Sequence, residues 1–301
     1  MTRISVVIPT RDGGAPLRAC LTALARSFPP DGETLVVSDG GPADLKTQLR
    51  DFQGPLGLRC IRVEPGGPAA ARNRGLLESR GEIVAFTDDD CRPREGWVSA
   101  IARGVGTSPP RATGGITLNG LRANRYADAE QVILDLLAAH ERTSRGREHF
   151  FPSNNCAFPA AALRQIGGFN EAFRTAEDRE LCRRWRAAGY DIERTPDAIL
   201  DHDPGDDLPR FCRKYFSYGR GAARFHATGT RRSLRDSARF HLHVPRLLGP
   251  EIRRRGPVGG ASLVGLLAVW EAANLAGFIA ETANLARRNG SPDRRAPGRS
   301  T

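Results

Sequence analysis

The sequence predicts an α/β fold: a mostly parallel, Rossmann-like sheet flanked by helices, followed by a basic helical C-terminal appendage. Three observations predict it. Short β-rich runs alternate with helical stretches through the first half, and loops rich in Gly, Pro and Asp follow those runs. The formal charge of +11 is confined to the last third: residues 1–204 carry 27 basic and 27 acidic side chains, whereas 205–301 carry 18 and 7.

Ile4–Ile8 (ISVVI) reads as a buried strand, and the loop 9–14 leads to a helix over Ala15–Ser27 with apolar spacing at Leu17, Cys20, Leu21 and Leu24. Thr34–Ser38 is a second strand, ending at Asp39-Gly40-Gly41-Pro42. Leu58–Val63 is a third, followed by a Pro-Gly-Gly-Pro loop and a helix over Ala69–Ser79. Glu82–Thr87 is a fourth and runs into three aspartates. Strand, loop, helix and strand at this spacing make βαβ units, whose sheets bind ligands at the carboxyl ends of the strands. Thr10, Asp39, the 65–68 loop and Asp88–Asp90 all fall at such ends.

Residues 113–203 are less regular. They predict a helix over Tyr126–Arg142, a short strand at Asn155–Phe158, a helix through Leu181 and Trp185 ending at Gly189, and a brief strand at Ala198–Leu200. From Leu208 the chain turns basic and aromatic. Gly256–Trp270 is uncharged and largely apolar, and Glu271 interrupts it. One transmembrane span needs about 20 apolar residues. Glu271, Asn274 and Glu281 recur at helical spacing, so an amphipathic helix with a narrow polar stripe is expected there instead.

Apolar residues make up 40% and charged residues 26%. This balance excludes wholesale disorder, collagen-like repeats and a polytopic membrane protein. Met-Thr-Arg leads directly into ISVVI without the pattern of a secretory signal. The six scattered cysteines include no CxxC pair. They read as reduced small hydrophobes in a cytoplasmic protein, not as a disulfide frame or a zinc site. Lys46 and Lys214 are the only lysines among 45 basic residues. Genome base composition accounts for that preference for arginine, but not for the one-sided placement of the charge. A basic third calls for an anionic neighbour such as lipid headgroups, phosphorylated ligands or nucleic acid.

Three adjacent carboxylates repel one another unless a cation or hydrogen-bond donors compensate, so Asp88-Asp89-Asp90 at a strand end marks a candidate site for a hard divalent ion. Glu177-Asp178 precedes a helix, where carboxylates complement the dipole and where a general base can be held ionised. His202 lies between Asp201 and Asp203 and is a candidate third metal ligand. Arg72, in the helix after Gly67-Pro68, can reach back towards a diphosphate or a base.

The set as a whole resembles the family 2 glycosyltransferases with the GT-A fold. The matching pieces are ISVVIPTRDG, VVSDGGP, GGPAAARNRGL, EIVAFTDDDCRPREGW, NNCAFPAAALRQIGGFNEAF, AEDRELCRRWRAAGY and ILDHD, in the family's order over residues 3–203. One departure is Ser38-Asp39-Gly40-Gly41, where the family usually has two acids followed by Gly-Ser. The resemblance implies that Pro9, Thr10, Arg11, Asp39, Arg72, Asp88 and Asp89 bind a nucleotide-diphosphate sugar, with Asp39 at the base. It implies Asp90 and His202 as ligands of Mg²⁺ or Mn²⁺ and Asp178 as the general base. It places Trp97, Asn155, Gly168 and Glu177 around the sugar and acceptor.

The organisation expected is a GT-A catalytic domain over 1–204, a basic amphipathic helical region over 205–286 and a disordered basic tail over 287–301. The expected activity is metal-dependent, inverting transfer from a nucleotide sugar, UDP favoured, to a hydroxyl acceptor that is lipid-linked or part of a cell-envelope glycan. The polybasic region would hold the protein at the anionic inner face of the plasma membrane, with no nucleic-acid partner. Two alternatives differ in class. A nucleotidyltransferase would usually carry a Lys in its Gly-rich N-terminal loop, and Thr10–Gly14 has none. A nucleic-acid-binding module would use the basic third, but the first 204 residues are neutral and no RNP, KH or zinc-finger pattern appears.

Overall fold

The computed structural model describes residues 3–145, 150–229 and 231–289. Its strands are β1 (Ile4–Thr10), β2 (Glu33–Asp39), β3 (Arg59–Val63), β4 (Ile83–Phe86), β5 (Cys91–Pro93), β6 (Gly106–Thr107), β7 (Pro110–Asn119), β8 (Cys156–Pro159) and β9 (Asp191–His202). They form one sheet in the order β3-β2-β1-β4-β8-β7-β9-β5, with β6 paired to β7. The expected parallel pairing holds through β3-β2-β1-β4. Beyond β4 the sheet is mixed: β8 is antiparallel to both β4 and β7, β7 is parallel to β9, and β5 is antiparallel to β9.

The β1–β4 side is a pair of filled layers because its strands are apolar on both faces. Val6, Ile8 and Val36 pack with α1 (Gly14–Ala25) and with Trp97 and Ile101 of α5 (Trp97–Gly104). Val7, Leu35, Val37 and Phe86 pack with α4 (Pro68–Glu78), α7 (Ala160–Gln165) and α8 (Glu177–Ala187) on the other face. Two single-turn helices, α2 (Leu45–Gln48) and α3 (Gln53–Leu56), lead into β3.

Two strands exceed what local sequence predicts. β7 contains Gly114-Gly115 and carries a register shift between Gly114 and Ile116. A Cβ at Gly114 would stand 2.2 Å from the Phe151 ring, and one at Gly115 would stand 2.0 Å from the Ala198 carbonyl oxygen. The glycines that weaken the strand signal are therefore what let neighbours pack against it. β9 spans twelve residues, not the three expected, because its first half pairs with β7 over Arg111–Gly114.

A third apolar cluster joins α6 (Arg125–Arg145) to α9 (Leu208–Ala227), α10 (Arg231–Leu247) and α11 (Gly249–Asn289). Ala129, Val132, Ile133 and Leu136 meet Phe211, Tyr215, Phe240, Leu263, Leu267 and Trp270. α11 is two helices meeting at Gly256, whose φ of 70° is left-handed. It is long and apolar enough to cross a membrane by length and composition, with 22% of its most apolar stretch buried. Helix continues to Asn289, into the stretch expected to be tail, and 290–301 lie outside the described residues.

Candidate active site

The aspartate turn after β4 is tied to the far end of the sheet. Cys91, the first residue of β5, pairs with His202 at the end of β9, and the Asp203 amide donates to the Asp90 carbonyl at 2.9 Å. Each of the three carboxylates then has its own partner. Asp88 accepts from Arg72 at 2.6 Å, Asp89 from the Thr10 hydroxyl at 2.5 Å, and Asp90 lies 3.3 Å from His202 Nε2. Three different donors relieve the mutual repulsion of the triplet. Burial pushes Asp89 up, Thr10 opposes, and the charges of Asp90 and Asp88 add to the rise, bringing it to about 6. For Asp90 burial acts upward as well, but the His202 hydrogen bond and charge outweigh it and hold Asp90 below its ordinary value. The same pair carries His202 up to about 8 against its own burial.

Donor atoms of Asp90, Cys91 and His202 lie within 4.8 Å of one another. A carboxylate and an imidazole at this spacing suit Mg²⁺ or Mn²⁺. Cys91 is fully buried, and burial with the nearby Asp90 and Asp88 charges drives its thiol well up, so it contributes packing rather than a thiolate.

The second acid pair sits at the start of α8. Ala176, the residue before the helix, has a left-handed φ of 65°, a conformation that costs a non-glycine residue about 1 kcal/mol or more. Asp178 is therefore the second residue of the helix and not its cap. The two acids point differently. Glu177 is 7% exposed, and its Oε1 accepts from Arg72 at 2.9 Å and from Ser153 at 3.5 Å. Burial and the Asp178 charge lift Glu177 to about 7 despite Arg72. Asp178 is half-buried, accepts from the Arg179 amide at 2.7 Å, and is shifted upward by burial against the pull of Arg179 and Arg72. Burial thus lifts the Asp178 carboxyl, in opposition to the expectation that the helix start holds it ionised.

Several sequence-predicted residues sit elsewhere than expected. Arg72 is 3% exposed and clamps Asp88 to Glu177, so it does not extend into open space towards a ligand. Glu177 is committed to that clamp and does not line an open acceptor pocket. Trp97 and Asn155 are core residues: the indole N–H donates to Asn155 Oδ1 at 2.9 Å, and both are buried. Gly168 is a tight turn packed on Asn73, whose Oδ1 a Cβ there would approach to 2.5 Å. Asp39 accepts from the Gly66 and Gly67 amides at 2.6 and 3.0 Å and so shapes the loop before α4. Pro9 is buried in β1 beside Thr10, and Arg11 is exposed just beyond.

Sequence reading passed over Lys214 and Glu130. Lys214 Nζ donates to Glu130 at 2.8 Å and to Asp206 at 2.7 Å, while Glu130 and His202 line the same small cavity. The signal was present: a lysine in a chain that otherwise uses arginine for 43 of 45 basic positions. The six cysteines are all free thiols.

A profile of glycosyl transferase family 2 matches residues 5–167. The pre-mycofactocin glycosyltransferase of Mycobacterium tuberculosis is 30% identical over 235 residues, 73% of this chain and 47% of that protein. The chain thus spans about half the length of that relative. The glycosyltransferase AglE of Haloferax volcanii is 26% identical over 72% of each chain. Among solved structures, the mannosyltransferase PcManGT of Pyrobaculum calidifontis, in complex with GDP-Man and Mn²⁺, has a TM-score of 0.64 at 18% identity, covering 96% of this chain and 88% of its own. TarS 1–349 of S. aureus, in complex with UDP-GlcNAc, has a TM-score of 0.53 at 17% identity, covering 97% and 93%. The fold is that of the GT-A glycosyltransferases, and the site residues Glu177, Asp178 and His202 lie beyond the matched segment. With strand ends, acid triplet and profile in agreement, this chain belongs to glycosyltransferase family 2.

Proposed function

We propose that the enzyme transfers a sugar, with inversion and divalent-metal dependence, from a nucleotide-diphosphate sugar to a hydroxyl acceptor. The observation that carries this reading is the gathering of Asp88–Asp90, His202 and the start of α8 by strands and helices far apart in sequence, with Arg72 joining the two acid groups. Pro9, Thr10, Arg11, Asp39, Asp88 and Asp89 edge the donor side, and the PcManGT and TarS complexes with GDP-Man and UDP-GlcNAc support a nucleotide-sugar donor. UDP is the favoured nucleotide.

In the proposed reaction Asp178 removes the proton of the acceptor hydroxyl. The oxygen attacks the anomeric carbon from the face opposite the nucleotide, and the bond to the diphosphate breaks with its electron pair leaving on phosphate. An upward-shifted carboxylate is the better base for this step. Asp90 and His202 would hold Mg²⁺ or Mn²⁺, which would supply Lewis-acid stabilisation of the charge on the departing diphosphate. The acceptor is lipid-linked or a cell-envelope glycan, reached by a peripheral enzyme at the cytoplasmic face of an anionic membrane. Leu242, Val258, Leu275 and Ile279, from 59% to 86% exposed on α10 and α11, give that surface an apolar component beside its arginines.

The test is a thermal-shift titration with UDP and GDP, with and without Mn²⁺. Binding to the folded state raises the melting temperature. Stabilisation that requires the ion, and that Asp90→Ala abolishes, is expected. Equal nucleotide stabilisation without any divalent ion would remove the metal from this account.

A further inference from the structure

One side of the site comes from outside the segment that matches the family. α9 is clamped beside the start of α8: the Thr175 hydroxyl donates to the Ser217 carbonyl at 2.8 Å, and a Cβ at Gly221 would lie 2.3 Å from Thr175 Oγ1. That clamp places the turn from Lys214 to Tyr218 next to Glu177 and Asp178. Lys214 and Tyr218 are four residues apart and share one helix face. Lys214 holds Glu130, which lines a cavity with His202. The face therefore runs from the metal-ligand side of the site to the acid pair.

Tyr218 is 43% exposed, yet loss of surrounding water is the largest influence raising its hydroxyl, with Lys214 opposing and Glu130, Asp178 and Glu177 adding to the rise. Tyr218 directly follows Ser217, whose carbonyl is held by Thr175 two residues before Glu177, and it shares a helix face with Lys214. Its ring meets Tyr215 edge-on at 5.5 Å, and its hydroxyl has no hydrogen-bond partner among the described residues. A tyrosine that only packs buries its ring, as Tyr215 does at 3% exposure.

We propose that Tyr218 contacts the acceptor, and that the acceptor presents a sugar ring to it. An aromatic face edged by a hydroxyl complements a pyranose, which has an apolar C–H face and a hydroxylated rim. Stacking there and one hydrogen bond hold a second sugar hydroxyl towards Asp178. This inference rests on the glycosyltransferase reading and narrows its acceptor, lipid-linked or glycan, to one that presents a sugar ring beside the reacting hydroxyl.

The experiment uses the full chain with Mn²⁺ and a panel of UDP- and GDP-sugars. The acceptor probes are the p-nitrophenyl glycosides of glucose, galactose, mannose and N-acetylglucosamine. Nucleotide release is measured with and without each probe, and donor affinity is measured by calorimetry. We expect the wild type to turn over at least one probe. Tyr218→Ala should raise KM for that probe by about tenfold or more, with a smaller effect on kcat and unchanged donor affinity, and Tyr218→Phe should lie between. Equal KM in wild type and Tyr218→Ala overturns the proposal, as does a parallel loss of donor affinity. A wild type that hydrolyses donor but uses no probe overturns the glycoside class while leaving the glycosyltransferase reading intact. A wild type that neither binds nor hydrolyses any donor overturns both.

Discussion

At the scale of single residues, adjacent acids of similar chemistry have been given different work by their surroundings. Glu177 is sealed against Arg72 and Ser153, whereas Asp178 keeps contact with solvent. Arg72 is the reason: a guanidinium with 3% exposure must be neutralised, and Asp88 and Glu177 do so through its two terminal nitrogens. Asp178→Asn separates basicity from helix-terminal bonding, because the amide oxygen can still accept from the Arg179 amide. Folding stability should change by less than about 1 kcal/mol. Transfer should fall by about 10²- to 10⁴-fold, the worth of a positioned base. Turnover with the acceptor, read beside calorimetric donor affinity, checks this, and near-wild-type turnover would reduce Asp178 to a structural role.

At the scale of elements, buried charges fasten the C-terminal helices to one another and to α6. Lys214 of α9 is held by Glu130 of α6 and by Asp206 just before α9. Removing the cation strands two buried carboxylates, so Lys214→Ala should cost about 3–5 kcal/mol in urea unfolding. A loss under about 1 kcal/mol, as for a surface pair, would show that the cluster is solvated. Glu281 of α11 is similarly bound by Arg220 and Arg224 of α9 at 2.7 and 2.6 Å. Burial acts to raise Glu281, but the two arginine hydrogen bonds outweigh it and bring it to about 2, below an ordinary 4.5. A depressed folded pKa contributes stability above the unfolded value, and that contribution disappears as pH falls through the folded value. The melting-temperature gap between wild type and Glu281→Gln should therefore be full at pH 6 and close between about pH 4.5 and 2. A gap that stays constant across that range would exclude Glu281 as its source.

At the scale of the whole molecule, a neutral segment over residues 1–204 carries a basic helical layer with exposed apolar side chains. Docking on anionic lipid should make the protein co-sediment with acidic vesicles at low salt and release as salt shortens the Debye length. Equal binding to neutral and acidic vesicles would show that the charge is not the anchor, and no binding to either would leave the basic layer without a membrane role. α9 and α11 also approach at backbone distance: a Cβ at Gly219 would lie 1.9 Å from the Asn274 carbonyl, and one at Gly277 would lie 1.9 Å from the Phe216 carbonyl. The α9–α11 contact is thus closely packed, and Arg220, Arg224 and Arg255 of this layer are engaged in ion pairs with Glu281, Asp128 and Glu251.

The sequence by itself determined the β1–β4 half of the sheet, the acid triplet at the end of β4 and the family. Those elements are written in local patterns: apolar runs of strand length, turn residues at their ends and ordered motifs. Tertiary structure alone decided the rest. β7 and most of β9 are strands because they pair with each other, and glycines placed for close packing hide that tendency. Trp97 and Asn155 read as site residues by their place in motifs, but only the fold shows an indole bonded to an amide inside the core. Arg72 joining Asp88 to Glu177 spans 105 residues to its far partner, and Lys214 reaches Glu130 across 84. Contacts of that range leave no periodicity in the chain, because they are set by which faces the sheet and helices bury.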